Sequence, residues 1–165
     1  MKINLSPFAA AIAIFLTVPV RAEDAKSAKP EELEAKFKEA MTAVTMSGRW
    51  SPLKDGVLGA EKEDKYTIVS VEKVSGDMWT INARLHYKKL EIVVPVPVQV
   101  KWAGDTAVII VDKMTVPGPG YGGTAYSARV LIHEKTYAGT WSGGDHGGLM
   151  SGVITKDKPA DPAPK

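Results

Sequence analysis

The segment Gly143-Gly144-Asp145-His146-Gly147-Gly148 sets a carboxylate beside an imidazole within a run of glycines. Glycine lets the backbone approach a ligand closely, and successive amides can cradle an anion, so Asp145 and His146 are candidate functional residues. The same pattern also suits a hairpin tip, where glycine supplies positive φ and aspartate bonds the backbone. A metal would need a further ligand, and only His86 and His133 remain as histidines. No metal or cofactor is expected. Arg84-x-His86 and Arg129-x-x-x-His133 each share one face of an extended strand, because side chains alternate with a period of two. Turned inward, Arg84, His86, Arg129 and His133 would form a cationic pocket for a carboxylate or phosphate. Turned outward, they are solvated wall residues. Gly-x-Ser-x-Gly does not occur, so Ser127, Ser142 and Ser151 are not at a nucleophile elbow. Without a catalytic motif, the chain is expected not to be an enzyme.

Aromatic residues offer a second kind of chemistry. Gly48-Arg49-Trp50-Ser51 and Gly139-Thr140-Trp141-Ser142 repeat one pattern near opposite ends of the β-rich region. Gly-x-Trp puts a large anchor and a bare backbone on the same strand face, and closure of the sheet would bring the two tryptophans together. Trp79, Tyr87, Trp102, Tyr121, Tyr126 and Trp141 are the candidate ligand-stacking residues. Tryptophans in such positions also serve as packing anchors that bury a large area. Tyr121 lies in Pro117-Gly118-Pro119-Gly120-Tyr121-Gly122-Gly123, a connection expected at one mouth of a barrel.

The elements that would position these residues are mostly strands. Trp79, Ile81, Ala83, Leu85 and Tyr87 share one face, as do Leu90 through Trp102 at alternate positions and Tyr126, Ala128, Val130 and Ile132. Ser75-Gly76-Asp77, Ala103-Gly104-Asp105 and Gly143-Gly144-Asp145 provide hairpin chemistry between them. Eight strands follow, at about 47–52, 65–74, 78–87, 90–102, 106–116, 124–133, 136–142 and 148–155. Short links imply an all-β, antiparallel up-and-down barrel, with a β-sandwich as the alternative. Pro95 and Pro97 cannot donate ladder hydrogen bonds, so a bulge, bend or unpaired stretch is expected there. Residues 51–64 read as a long loop. Leu33, Phe37, Ala40, Met41 and Val44 form one apolar stripe, predicting a helix over 31–45 that opens at Pro30.

Residues 1–22 read as a secretion signal, with Lys2, an uncharged run over 8–18, and Val20-Arg21-Ala22 before cleavage. Residues 23–46 form a polar leader and the helix, 47–155 the barrel domain, and 156–165 a Pro-rich tail. The expected location is periplasmic or extracellular, with no stable membrane insertion after cleavage. The chain has no cysteine, which excludes disulfides and thiolate metal sites. Removing Lys2 and Arg21 leaves 19 basic residues against 19 acidic ones, and no basic cluster suggests nucleic acid as a partner.

The meander, its helix and the Gly-x-Trp of the first strand resemble the calycins, the lipocalin and avidin superfamily. Val100-Lys101-Trp102-Ala103-Gly104-Asp105-Thr106 and Tyr137-Ala138-Gly139-Thr140-Trp141 also resemble an uncharacterised family of bacterial exported proteins. The calycin resemblance implies a barrel enclosing an apolar ligand. The chain lacks the Thr-Asp-Tyr lipocalin signature, and its second Gly-x-Trp lies near the end, so no ligand identity carries over. The expected function is non-catalytic binding of a small hydrophobic or amphipathic molecule. The alternative is a cell-envelope structural or protein-interaction module with a filled core.

Overall fold

The computed structural model describes residues 29–87, 90–115 and 123–157. The expected signal, most of the leader and the tail from 158 lie outside the described residues, as does Tyr121. One helix, α1 (Pro30–Met41), precedes nine strands: β1 (Val44–Lys54), β2 (Val57–Leu58), β3 (Lys62–Ser75), β4 (Met78–Tyr87), β5 (Leu90–Ala103), β6 (Thr106–Thr115), β7 (Ala125–His133), β8 (Thr136–Gly143) and β9 (His146–Lys156). Sequential antiparallel pairing runs from β3 to β9, and β1 pairs with both β3 and β9. The result is a closed eight-stranded barrel, with β2 added beside β1. Consecutive strands that twist alike and are joined by tight turns close naturally at this strand number.

Closure is in continuous register. Ser47 to Leu53 pair residue by residue with Val153 to Gly147, which sets the two Gly-x-Trp segments on nearby strands. Trp50 and Trp141 meet edge to face, with ring centroids 5.4 Å apart. Alternation places the apolar stripes inside: Ile81, Val98, Val100, Ile109, Val130 and Ile132 are buried core residues. Hairpin geometry follows the expected chemistry at Gly104 and Gly144, both of which adopt positive φ.

Three sequence expectations need correction. The helix ends at Met41 rather than near 45, because Thr42 is already extended and Ala43 adopts φ 52°, which redirects the chain into β1. Val44, read as part of the helical stripe, is therefore a fully buried strand residue. The expected loop over 51–64 is largely strand. β1 continues to Lys54, turns at Asp55-Gly56 into β2, and β3 starts at Lys62. Here Pro52 and the charged residues obscured an alternation that cross-strand pairing with β9 sustains.

Prolines shape β5 as expected. The Val100 N–H donates to the Asp77 carbonyl on the β4 side at 2.8 Å. Alternation then aims the donor positions of residues 95 and 97 at β6. Both are proline, and β5–β6 pairing stops at Gln99↔Ile110 while β4–β5 pairing continues unbroken to Tyr87↔Leu90. The barrel wall is therefore unpaired between the early part of β5 and the later part of β6.

α1 closes the opposite end. Pro30 opens it, Glu31 and Glu32 occupy its positive first turn, and Leu33, Phe37 and Met41 form its buried face. Phe37 lies edge-on to Trp79 at 5.3 Å and to Trp102 at 6.1 Å. Lys156 Nζ donates to the carbonyls of Glu39 and Thr42, satisfying groups that a helix end leaves unpaired. Glu34 and Lys73 form an ion pair at 2.5 Å between helix and barrel. Phe37→Ala should lower the unfolding free energy by about 3–5 kcal/mol, as loss of a fully buried aromatic ring does. Denaturant titration is the measurement, and a loss under about 1 kcal/mol would mean that the helix does not seal this end.

Candidate functional site

Above the helix-sealed layer, the inward faces enclose a cavity of about 590 Å³. Ile68, Ile81, Val98, Ile109 and Val130 form its floor and walls. Trp50, Tyr66, Tyr126 and Trp141 ring the end away from α1, and Met46 and Met150 are lining residues of the β1–β9 side. Val96 and Val111 line it on β5 and β6, the strands that fail to pair at this level.

The space exists because several inward positions carry no side chain. A Cβ on Gly143 would enter the Tyr126 ring, and one on Gly148 would sit 2.9 Å from Trp141 Nε1. A Cβ on Gly152 would lie 2.7 Å from Tyr137 Cε1. Each ring therefore rests over a bare stretch of the neighbouring strand, as the pairings Tyr126↔Gly143, Trp141↔Gly148 and Tyr137↔Gly152 require. Rings held along the wall leave the centre open. On the facing side the small residues Ala83 and Ala128 have the same effect.

One polar group interrupts this lining. Asp64, on the inward face of β3, accepts a hydrogen bond from the Tyr66 hydroxyl and another from the Lys65 backbone N–H at 2.9 Å. Burial and the hydrogen bond to Asp64 push the Tyr66 phenol well above its ordinary range. Tyr137 is raised as well, by burial first and then by the charge of Asp64. Tyr137 is 2% exposed, and its hydroxyl has no hydrogen-bond partner among the described residues. Such a group costs free energy wherever water cannot reach it.

The residues nominated from sequence divide between three places. Trp141 and Tyr126 line the cavity, whereas Trp79 is 2% exposed and packs with Trp102 against Phe37 at the sealed end. Trp79 and Trp102 are thus packing anchors, because α1 covers the faces a ligand would use. The side chains of Tyr87 and His86 lie outside the described residues, although both residues belong to β4. Arg84, Arg129 and His133 are not brought together. Arg84 pairs with Glu91 at 3.7 Å, Arg129 Nη1 donates to the Val111 and Ala128 carbonyls, and His133 Nδ1 lies 3.3 Å from Thr106 Oγ1. Their strand neighbours Ala83, Ala128 and Ile132 face inward, so alternation turns these three outward.

Asp145 and His146 occupy the β8–β9 turn, 3.1 Å apart through Oδ1 and Nδ1. The His146 hydrogen bond holds the exposed Asp145 carboxyl below its usual range. The His146 ring stands edge-on to Trp141 at 5.5 Å, at the rim of the cavity. Among the described residues no group of three potential ligands could hold a metal ion.

Asp64, Tyr66 and Tyr137 were missed as site residues. Reading 51–64 as a loop removed Asp64 from any strand face. The usable signal was the alternation Asp64, Tyr66, Ile68, which continues the inward stripe.

Both tyrosines are raised in the folded state, so the unfolded chain gives up their protons first as the pH climbs. Their contribution to stability is complete below about pH 10 and declines above it. Unfolding midpoints measured from pH 8 to 11.5 should fall at the alkaline end, less steeply in Tyr66→Phe. Equal slopes would contradict a Tyr66 phenol held protonated by its bond to Asp64. Tyr137→Phe should raise the unfolding free energy at neutral pH by about 1 kcal/mol, since it removes an unsatisfied hydroxyl and keeps the ring. A loss of that size in denaturant titration would reveal a hydrogen bond to this hydroxyl. No protein-family model matches the chain, and no curated protein or solved structure does.

Proposed function

We propose that this protein is a non-catalytic carrier or receptor for a small hydrophobic or amphipathic molecule, acting outside the cytoplasm after removal of its signal. The observation that carries this reading is the cavity of about 590 Å³, lined by aliphatic and aromatic side chains with one polar spot. Ligand sites have this character: hundreds of Å³, mostly apolar walls and a few polar groups that fix orientation. An envelope module with a filled interior has no use for such a space, and the glycines beneath three aromatic rings give up packing to keep it.

The asymmetry of the barrel supports the same reading. Phe37 and its tryptophan neighbours seal one end, while the other presents Trp50, Tyr66, Tyr126 and Trp141 around an opening. The export part of the proposal rests on residues 1–22.

Titration with N-phenyl-1-naphthylamine, a neutral apolar fluorophore, tests the proposal. Binding should saturate at one equivalent and quench Trp50 and Trp141. Ala128→Trp, which fills the cavity from β7, should weaken it by at least about tenfold while the protein stays folded by circular dichroism. No saturable binding to the parent protein, or undiminished binding to the filled variant, would overturn the reading.

A further inference from the structure

Asp64 is the charged residue among those lining the cavity; the others described there are apolar or aromatic. Its carboxylate accepts from the Tyr66 hydroxyl and the Lys65 N–H, which leaves roughly half of its four or so acceptor positions free. The ion pairs among the described residues involve other carboxylates, so none of the described ammonium or guanidinium groups is paired with it. Asp64 is half-buried at the apolar mouth, and at such a partly desolvated site its attraction for an opposite charge is stronger than in bulk water.

A second, independent observation points to the same spot. Tyr137, Gly152, Gly48 and Asp64 form one row across β8, β9, β1 and β3. The two glycines let the Tyr137 ring pass over both strands, so that its hydroxyl ends 2.5 Å from where a Gly48 Cβ would stand. Asp64 is the next residue in the row, and the buried hydroxyl, without a partner among the described residues, extends along the row towards it. The influence of the Asp64 charge on Tyr137 accords with this proximity.

On the reading of the cavity as a ligand site, we infer that the ligand is a cationic amphiphile whose ammonium group is received by Asp64 together with the Tyr66 hydroxyl, the two polar groups that line the cavity side by side. An ammonium carries three donors and no acceptor, and this site offers one carboxylate and one phenol oxygen. A carboxylate or phosphate head would meet the Asp64 charge at the same point. Lys62, opposite Trp50 in the β1–β3 register, holds its Nζ 4.9 Å from the Trp50 ring centroid, so a cationic head is drawn by Asp64 and not by this rim ring. Without residues 1–22 the chain carries 19 basic and 19 acidic residues, which gives no general attraction for cations, so any preference must arise locally.

The test compares n-decylamine, n-decanol and n-decanoate, one chain length with three head groups, by displacement of N-phenyl-1-naphthylamine at pH 7. Decylamine should bind most tightly and decanoate most weakly, with at least about tenfold between them. Asp64→Asn keeps the shape and removes the charge. It should bring decylamine to the level of decanol and leave decanol unchanged. Tyr66→Phe should weaken decylamine a few-fold and decanol less. Equal binding of the three to the parent protein, tighter binding of decanoate, or an amine preference retained in Asp64→Asn would overturn the inference while leaving the cavity reading intact. Failure of all three to bind would overturn both. If Asp64→Asn does not fold, the head-group ranking on the parent protein decides alone.

Discussion

Antiparallel pairing of β1 with β9 is the constraint from which the other features follow, because it turns an open meander into a barrel with an inside. The seam is built on glycine. Gly48 and Gly152 face each other across it, and Tyr137 from β8 lies over both. Side chains there would either hold the strands apart or displace the ring. With them absent, the ladder runs without a break from Val44↔Lys156 to Leu53↔Gly147. Closure removes the exposed edges that an eight-stranded sheet would otherwise present, and it replaces the disulfides that this cysteine-free chain lacks.

Closure alone does not leave a hollow interior; small barrels are commonly filled by their own side chains. Here the interior is divided into two layers. Around α1 it is dense: Phe37, Trp79 and Trp102 meet edge to face above Val98 and Val100. Towards the other end, aromatic rings lie along the wall over glycines, and the centre stays empty. The Asp64 carboxylate lines this second layer, and the Tyr137 hydroxyl, without a partner among the described residues, is buried in the row that leads to it. Features that cost stability thus concentrate in the hollow half, the usual arrangement where a fold gives up packing for binding.

The early part of β5 reinforces that division. Prolines at 95 and 97 withhold donors from β6, so the hollow half has a weaker wall than the sealed half, where residues 99–103 pair fully with 106–110. Backbone hydrogen bonding and side-chain packing therefore grade in the same direction along the barrel axis. Local opening is cheapest where few paired groups must separate, which places it beside Val96 and Val111 at the cavity.

Much of the fold was legible in the sequence because strand alternation and turn chemistry are local. The stripes on β4 to β7, the hairpins at Gly76, Gly104 and Gly144, the proline interruption and the nearness of Trp50 to Trp141 all follow from a period of two and a count of strands. Segment 51–64 was not legible, since residues 51–53 owe their pairing to β9, nearly a hundred residues away, and 62–64 owe theirs to β1 across an intervening turn. The site was harder still. Asp145 and His146 stood out by composition but lie at the rim, and Trp79 looked like a platform until α1 was seen to cover it. Residue type and spacing by themselves determined the all-β class, the strand order and the inward faces. Only the tertiary structure decided which inward residues border empty space, because that depends on which strand lies beside each ring and whether it carries a glycine there.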